Sequence, residues 1–176
     1  MTKNSIALIG FMATGKTSVA KELAEELGNN YRFIETDQII IEDAGKSITE
    51  IFAEDGEIRF REYEIAACKK VSKRDNVVIS CGGGVILNKI NIDNLKQNCH
   101  IVLLNATAEE IYKRAMKDGQ ETRPVIDKED PKAEIKNVLD FRKPFYEAAA
   151  EIIIETTGKK IEDIVIEIIS KTNLKT

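Results

Sequence analysis

The octapeptide from Gly10 to Thr17, GFMATGKT, puts a lysine and a hydroxyl residue directly behind a glycine-rich stretch, in the pattern G-x-x-x-x-G-K-[ST]. Residue types at this spacing can hold phosphate. Glycines let the backbone wind tightly enough to aim several N–H groups at phosphate oxygens, and the N-terminus of the next helix adds its partial positive charge. Lys16 can then reach the β- and γ-phosphates, while the Thr17 hydroxyl can ligate a magnesium ion. A glycine-rich turn before an ordinary helix would need neither side chain.

Further along, Glu35-Thr36-Asp37 offers two carboxylates, spaced so that one can face a phosphate-bound metal and the other a second substrate. Asp37 can also serve as N-cap of a helix beginning at Gln38, and the two roles are compatible. Ser80-Cys81-Gly82-Gly83-Gly84 ends in three glycines, which cost conformational entropy and so predict either a close approach to that backbone or positive φ. The plainer alternative is a tight turn. Many phosphate-loop proteins place an aspartate at such a strand end to hold the magnesium water shell; Ser80 stands here, so that carboxylate has to be Glu35 or Asp37.

Glu57, Arg61 and Glu64 share one helical face, which taken alone reads as a solvated ion-pair ladder. Arg142, with Pro144 and Tyr146, reads alone as a surface arginine. Lys117 to Glu129 is polar, contains Gly119 and Pro124, and has no apolar period, so it is a lid candidate. Arg123, held extended before Pro124, could then stabilise charge on a transferring phosphoryl group. Arg114 is a second candidate for the same neighbourhood.

These residues need elements to position them. Apolar runs alternate with amphipathic stretches, the pattern of a parallel sheet covered on both faces. Strands are predicted at Ser5 to Ile9, Arg32 to Glu35, Asn76 to Ser80, His100 to Leu104 and Glu151 to Ile154. Helices are predicted at Gly15 to Leu27 with Gly28 as C-cap, as a pair within Asp37 to Lys73, and at Ala108 to Met116, Pro131 to Ala149 and Ile161 to Lys171. Ser47 with Glu50 and Thr107 with Glu110 have capping-box spacing. In open sheets of this kind ligands sit beyond the carboxyl ends of the strands, where the phosphate loop, Glu35-Thr36-Asp37 and the triple glycine all fall.

At 176 residues, 43 % apolar and 32 % charged, the chain reads as one soluble domain that needs neither disulfides nor structural metal to hold a core. A net charge of −4 disfavours broad capture of nucleic acid. Cys68, Cys81 and Cys99 show no C-x-x-C pairing, so a reducing cytoplasm is expected. No apolar run approaches the roughly 20 residues of a membrane span, and no signal peptide is expected before the first strand. With His100 the only histidine, catalysis must lean on carboxylates, basic side chains, backbone amides and a bound ion.

GFMATGKT, Glu35-Thr36-Asp37, Phe60-Arg61 with Glu64, Gly82 to Gly84, Thr122-Arg123-Pro124 and Arg142-Lys143-Pro144-Phe145-Tyr146 occur in the order seen in shikimate kinases, and the chain resembles that family from Ile6 to Lys159. The resemblance implies a three-layer α/β/α fold of the nucleoside monophosphate kinase type, with a five-stranded parallel sheet, a substrate-binding helical segment at about 38–73 and a lid at about 117–129. It implies ATP and magnesium as cofactors, shikimate as the small-molecule substrate, and phosphorylation of its 3-hydroxyl in aromatic amino-acid biosynthesis. A monomer is expected, with no nucleic-acid or membrane partner.

By the same resemblance, Asp37 matches the aspartate that holds shikimate hydroxyls and orients or deprotonates the attacking one. Arg61 and Arg142 match arginines that grip the substrate carboxylate, Gly83 matches a backbone contact to substrate, and Phe52 and Phe60 resemble pocket walls. Ala13, Thr14, Gly15, Lys16, Thr17 and Ser18 match the phosphate cradle, Thr17 and Glu35 the metal site, Arg123 the lid arginine near ATP, and Lys159 a residue near the adenine. Lys16, Asp37 and Arg123 are the catalytic set. Two positions depart from the family pattern: Ala13 replaces a usual glycine, which requires a backbone φ compatible with a Cβ, and Glu35 replaces a usual aspartate. The rival readings are a kinase of the same fold acting on gluconate or a nucleotide, which would have no special need for two arginines on one carboxylate, and an ATP-binding regulatory module without turnover.

Overall fold

The computed structural model describes residues 3–28, 30–117 and 129–174. Five parallel strands form one sheet in the order β2-β3-β1-β4-β5, with β1 at Ser5–Ile9, β2 at Arg32–Glu35, β3 at Val77–Ser80, β4 at Cys99–Asn105 and β5 at Ile152–Glu155. Each strand lies within a residue or two of its predicted span. Such strands are legible because a sheet covered on both faces makes them nearly continuous apolar runs.

The two faces divide by the period-two alternation of β1. Ile6 and Leu8 point to the side covered by α1 (Lys16–Glu26) and α8 (Ile161–Thr172), where Val19, Leu23, Ile164 and Ile168 meet them. Ala7 and Ile9 point to the opposite side, packed by α2 (Thr36–Ala44), α4 (Gly56–Val71), α5 (Lys89–Leu95), α6 (Ala108–Lys117) and α7 (Pro131–Ala149). This is the expected three-layer architecture. No helix among the described residues is long and apolar enough to cross a membrane.

The local signals play out unevenly. Ser47 and Glu50 close a complete capping box at the short α3 (Ile48–Glu50), the Ser47 amide donating to Glu50 Oε2 at 2.7 Å and the Glu50 amide to Ser47 Oγ at 3.2 Å. A π-helical turn, Ile51–Asp55, joins α3 to α4. At Thr107 only the forward half forms, the Glu110 amide donating to Thr107 Oγ1 at 3.2 Å, while the Glu110 carboxylate accepts from Arg114 Nε at 2.8 Å. Gly28 takes a φ of 89°, as a residue just past a helix end does.

Helix α5 was not legible. Its sequence, KINIDNL, is short, rich in β-branched residues and asparagine, and carries no clear apolar period. It forms because Asn88 caps it, its Oδ1 accepting from the Ile90 amide at 3.0 Å, and because Ile92 and Leu95 reach the core.

Candidate active site

Three strand ends lie side by side. In the sheet register Ile6 to Leu8 pair with Val78 to Ser80, and Glu35 pairs with Ser80, so β1 releases the phosphate loop beside the ends of β2 and β3. Sequence order reverses around β1, the point at which open α/β sheets leave a crevice for ligands. A cleft of about 920 Å³ occupies it, lined by Ala13 to Ser18, Glu35, Asp37, Ser80 to Gly84, Arg142 and Lys159, among others.

The phosphate loop is held by its own side chains. Thr14 Oγ1 donates to the Phe11 carbonyl at 2.8 Å, and Lys16 Nζ donates to the carbonyls of Gly10 and Phe11 at 2.9 and 2.8 Å. Gly10 admits no other residue: a Cβ there would lie 2.5 Å from the Leu104 carbonyl oxygen. Gly15 is the N-cap of α1 with φ 92°; no side chain caps that end and no acidic residue sits in its first turn, which leaves the end suited to an anion.

Ala13 is in the left-handed region at φ 56°. The position therefore tolerates a Cβ, as its residue type required, but only in the small left-handed well, which costs an L-residue on the order of 1–2 kcal/mol. Glycine would relieve that strain while adding unfolded-chain entropy of about 0.4–1 kcal/mol. Ala13→Gly is therefore expected to leave the melting temperature unchanged or raise it by a few degrees, as read by thermal denaturation. A clear fall in Tm would show that the Ala13 methyl contributes packing that outweighs the backbone strain.

The two carboxylates after β2 separate. Thr17 Oγ1 donates to Glu35 Oε1 at 2.8 Å and lies 3.3 Å from Ser80 Oγ, so Glu35 faces the phosphate loop. Asp37 sits within the first turn of α2, which begins at Thr36 rather than Gln38; the expected capping role is overturned, since the N-cap is Glu35 and no side chain caps the helix. Burial and the neighbouring Glu35 charge push the Asp37 carboxyl up, and Lys16 and the Thr36 hydroxyl pull it down. Thr36 is buried and clamps the site from below, its Oγ1 accepting from the Gly82 amide at 3.0 Å and donating to the Ser80 carbonyl at 3.4 Å.

A tight turn does form here, the Val85 amide donating to the Gly82 carbonyl at 3.1 Å, but Gly82, Gly83 and Gly84 have no positive φ, so what calls for glycine is close approach. A Cβ on Gly82 would stand 2.8 Å from Asp37 Oδ1, and one on Gly84 would stand 2.6 Å from Arg61 Nη1. At Gly83 the neighbours are looser, with the Gly10 carbonyl at 3.7 Å and Arg142 Nη1 at 3.8 Å. Larger residues here would push aside Asp37, which lines the cleft, and Arg61, which is not among its lining residues but crowds the lining residue Gly84.

Arg61 bridges Glu57 and Glu64, but the pair is no solvated ladder. Glu57 is 66 % exposed and Glu64 only 2 %, with Nη1 of Arg61 at 3.1 Å from Glu64 Oε2. Burial pushes the Glu64 carboxyl up, while Arg61 and a hydrogen bond from Asn91 oppose that shift. Arg142 lies over the Phe11 ring at 5.8 Å, and one turn on, Tyr146 OH donates to the Gly83 carbonyl at 2.7 Å. Burial raises that phenol to about 12, so it remains a donor. Thr36 and Tyr146 stood within the sequence motifs without a role of their own, and Asn91 gave no signal, because each acts on residues far away along the chain.

The other expected residues divide between the cleft and elsewhere. Lys159 lines the cleft with its ammonium 2.6 Å from Glu167 Oε2. Arg114 also lines it, donating to the Ala13 carbonyl at 3.4 Å and the Thr156 carbonyl at 3.0 Å. Phe60 is buried and stacks on the 41 % exposed Phe52 with ring centroids 4.6 Å apart, yet neither ring lines the cleft. Arg123 and the lid segment, apart from its flanking residues Lys117 and Glu129, lie outside the described residues. Among the described residues no group of three or more His, Cys, Asp or Glu could hold a metal by itself, and all three cysteines are buried free thiols.

A phosphate loop at the carboxyl edge of this sheet, facing convergent carboxylates and guanidinium groups, defines a phosphate-loop small-molecule kinase of the nucleoside monophosphate kinase type of fold. The family model "Shikimate kinase" matches residues 12–173. The shikimate kinase of Caldanaerobacter subterraneus subsp. tengcongensis is 42 % identical over 165 residues, covering 94 % of each chain. A solved shikimate kinase from Acinetobacter baumannii, in complex with shikimate, superposes with a TM-score of 0.88 at 32 % identity, covering 99 % of this chain and 97 % of that one. A gluconokinase from Sinorhizobium meliloti shares the fold at a TM-score of 0.62 and 18 % identity, covering 98 % of this chain and 93 % of that one. The chain belongs to the shikimate kinase family. It is thus an ATP-dependent small-molecule kinase, a transferase of aromatic amino-acid biosynthesis.

Proposed function

We propose that the cleft transfers the γ-phosphoryl group of ATP to the 3-hydroxyl of shikimate, giving shikimate 3-phosphate and ADP. The observation that carries this reading is the ring of side chains around one glycine backbone. Asp37 crowds Gly82, Arg142 lies near Gly83 and Arg61 crowds Gly84; the glycines, Asp37 and Arg142 line the cleft together with the phosphate loop, and Arg61 meets that lining at Gly84. Two guanidinium groups and one carboxylate fit a small acid that carries hydroxyls, since guanidinium grips a carboxylate in a bidentate way. The shikimate bound in the related Acinetobacter baumannii enzyme supports the same choice of ligand.

In this reading Lys16, the amides of residues 13–18 and the N-terminus of α1 hold the phosphates. Thr17 and Glu35 would hold magnesium, and the donor set suits it: a hydroxyl and a carboxylate 2.8 Å apart, with Ser80 Oγ beside them, are hard oxygens beside a phosphate site. When bound, the ion neutralises charge on the phosphate oxygens. Asp37 aims the 3-hydroxyl and accepts its proton as that oxygen bonds to the γ-phosphorus and the bond to the β-phosphate oxygen breaks. Arg123 is assigned to the transferring group from its place in the lid sequence, and Lys159 to the adenine end. Segments 38–73 and 117–129 would serve as substrate-binding helices and lid. A monomer is expected from the family resemblance, and the buried thiols suit a reducing cytoplasm.

A coupled ADP-release assay with shikimate, gluconate and a nucleoside monophosphate tests the reading. Turnover of gluconate or the nucleotide with none of shikimate would overturn it, and tight ATP binding without any turnover would favour a regulatory module. Arg61→Ala is expected to raise the KM for shikimate about 30-fold, since losing a charge-assisted contact to a desolvated carboxylate costs on the order of 2 kcal/mol. An unchanged KM would remove Arg61 from the substrate pocket.

A further inference from the structure

We infer that Asn91 is a positioning residue for the reaction, holding Glu64 so that Glu64 in turn fixes the Arg61 guanidinium against Gly84, a residue that lines the cleft. The inference rests on the reading that Arg61 grips the shikimate carboxylate.

Asn91 is fully buried in α5, an element with no place in the phosphate-loop machinery. Its amide nitrogen makes two bonds that join different parts of the site. One goes to Glu64 Oε2 at 3.2 Å and the other to the Val85 carbonyl at 3.1 Å, one residue beyond the triple glycine. Its Oδ1 is buried with no hydrogen-bond partner. A leucine would fill similar space without leaving an acceptor unpaired, so for the fold alone the amide is the worse choice. What the amide adds is its pair of donors.

Those donors act on the charge network around Arg61. Both Glu64 oxygens accept from Arg61 Nη1, at 3.2 and 3.1 Å, and the outer partner Glu57 is exposed. Glu64 is thus the one buried carboxylate on that guanidinium among the described residues; the guanidinium otherwise rests 5.2 Å from the centroid of the buried Phe60 ring. The groups facing Glu64 are Arg61 and Cys68 from its own helix, Asp37 from α2 and Asn91 from α5. Asp37 repels it, and Cys68 is a buried neutral thiol. Asn91 is therefore the one neutral side-chain donor to Glu64 among the described residues, and its bond fixes where the Oε2 that also meets Arg61 can lie. Its second bond fixes this anchor relative to the glycine backbone that Arg61 crowds, since a Cβ on Gly84 would lie 2.6 Å from Nη1. A guanidinium held on one side by Glu64 and on the other by that backbone has little freedom left, which is the preorganisation a binding group needs.

The test is steady-state kinetics on the full chain with Asn91→Leu and, as a variant that avoids overpacking, Asn91→Ser, whose hydroxyl is too short to make both bonds. For each, the KM for shikimate is expected to rise about 10-fold, or roughly 1.4 kcal/mol, with kcat and the KM for ATP within about twofold of wild type. In an Arg61→Ala background the same substitutions should add no further rise, because their effect passes through Arg61. A loss of kcat or of active enzyme with unchanged KM for shikimate would make Asn91 merely structural and overturn the proposal. So would an equal KM increment with Arg61 absent. The single Arg61→Ala variant separates this failure from the other. If it raises KM and the Asn91 variants do not, only this inference falls; if it leaves KM unchanged, the reading of the pocket falls with it.

Discussion

Asp37→Asn is expected to lower kcat by about 10²–10⁴-fold, the range for removing a positioned general base, while ATP binding stays close to wild type. Asparagine has the size of aspartate and keeps one carbonyl oxygen, so it fits the space beside Gly82, where a Cβ would already stand 2.8 Å from Asp37 Oδ1. What it lacks is the negative charge that aims the substrate hydroxyl and takes its proton. Single-turnover transfer measured at saturating ATP and shikimate reads this step directly, and a rate within fivefold of wild type would remove Asp37 from the chemistry.

The same substitution should move stability the other way. Burial and Glu35 hold the Asp37 carboxyl above its ordinary range, so the folded protein favours its neutral form more than the unfolded chain does. At pH above its ordinary range the raised carboxyl therefore costs folding free energy, and a neutral isostere removes that cost. The ligand-free Asp37→Asn protein is expected to melt no lower than wild type. Loss of rate without loss of Tm is the trade expected where a site keeps an unfavourable charge for its function.

Lys16→Met carries the second large effect, a fall in kcat/KM for ATP of at least about 10²–10³-fold, the range for losing one preorganised electrostatic contact at a developing charge. Methionine preserves most of the apolar stem and deletes the ammonium. Lys16 also braces its own loop, donating to the Gly10 and Phe11 carbonyls at 2.9 and 2.8 Å, so its removal should loosen the backbone that presents the amides. Hydrogen bonds to charged groups contribute about 1.5–3 kcal/mol, which predicts a Tm several degrees lower. Differential scanning with and without ATP separates the two roles. Wild type should gain Tm on adding nucleotide in proportion to its occupancy, and the variant should gain little at the same concentration. An undiminished ATP-induced shift would show that the loop amides bind without the lysine.

How much of this was visible in the chain depends on how far apart the interacting residues are. The phosphate loop is a local device: Gly10, Lys16 and Thr17 lie within eight residues, and the chemistry they can do follows from type and spacing. The central strands showed through because burial on both faces demands nearly unbroken apolar runs, and Ser47 with Glu50 showed through because a capping box closes within one turn. The convergence of Asp37, Arg61, Gly83 and Arg142 was accessible only through resemblance, since the sequence by itself left Arg61 on an ion-pair face and Arg142 on a surface.

The sequence by itself determined the donor half of the site and the sheet that carries it, because both rest on short-range geometry and on burial that any parallel sheet imposes. Tertiary structure alone decided which carboxylate meets Thr17, since that follows from the pairing of Glu35 with Ser80 across two strands. It decided that Glu64 is buried rather than solvated, through Asn91 packed 27 residues away. It also gave the triple glycine its reason: a turn closes there, the Val85 amide donating to the Gly82 carbonyl at 3.1 Å, but what requires glycine is the close approach of Asp37 and Arg61. Each of these is a contact between elements brought together by packing, and a one-dimensional pattern records which faces are apolar but not which faces meet.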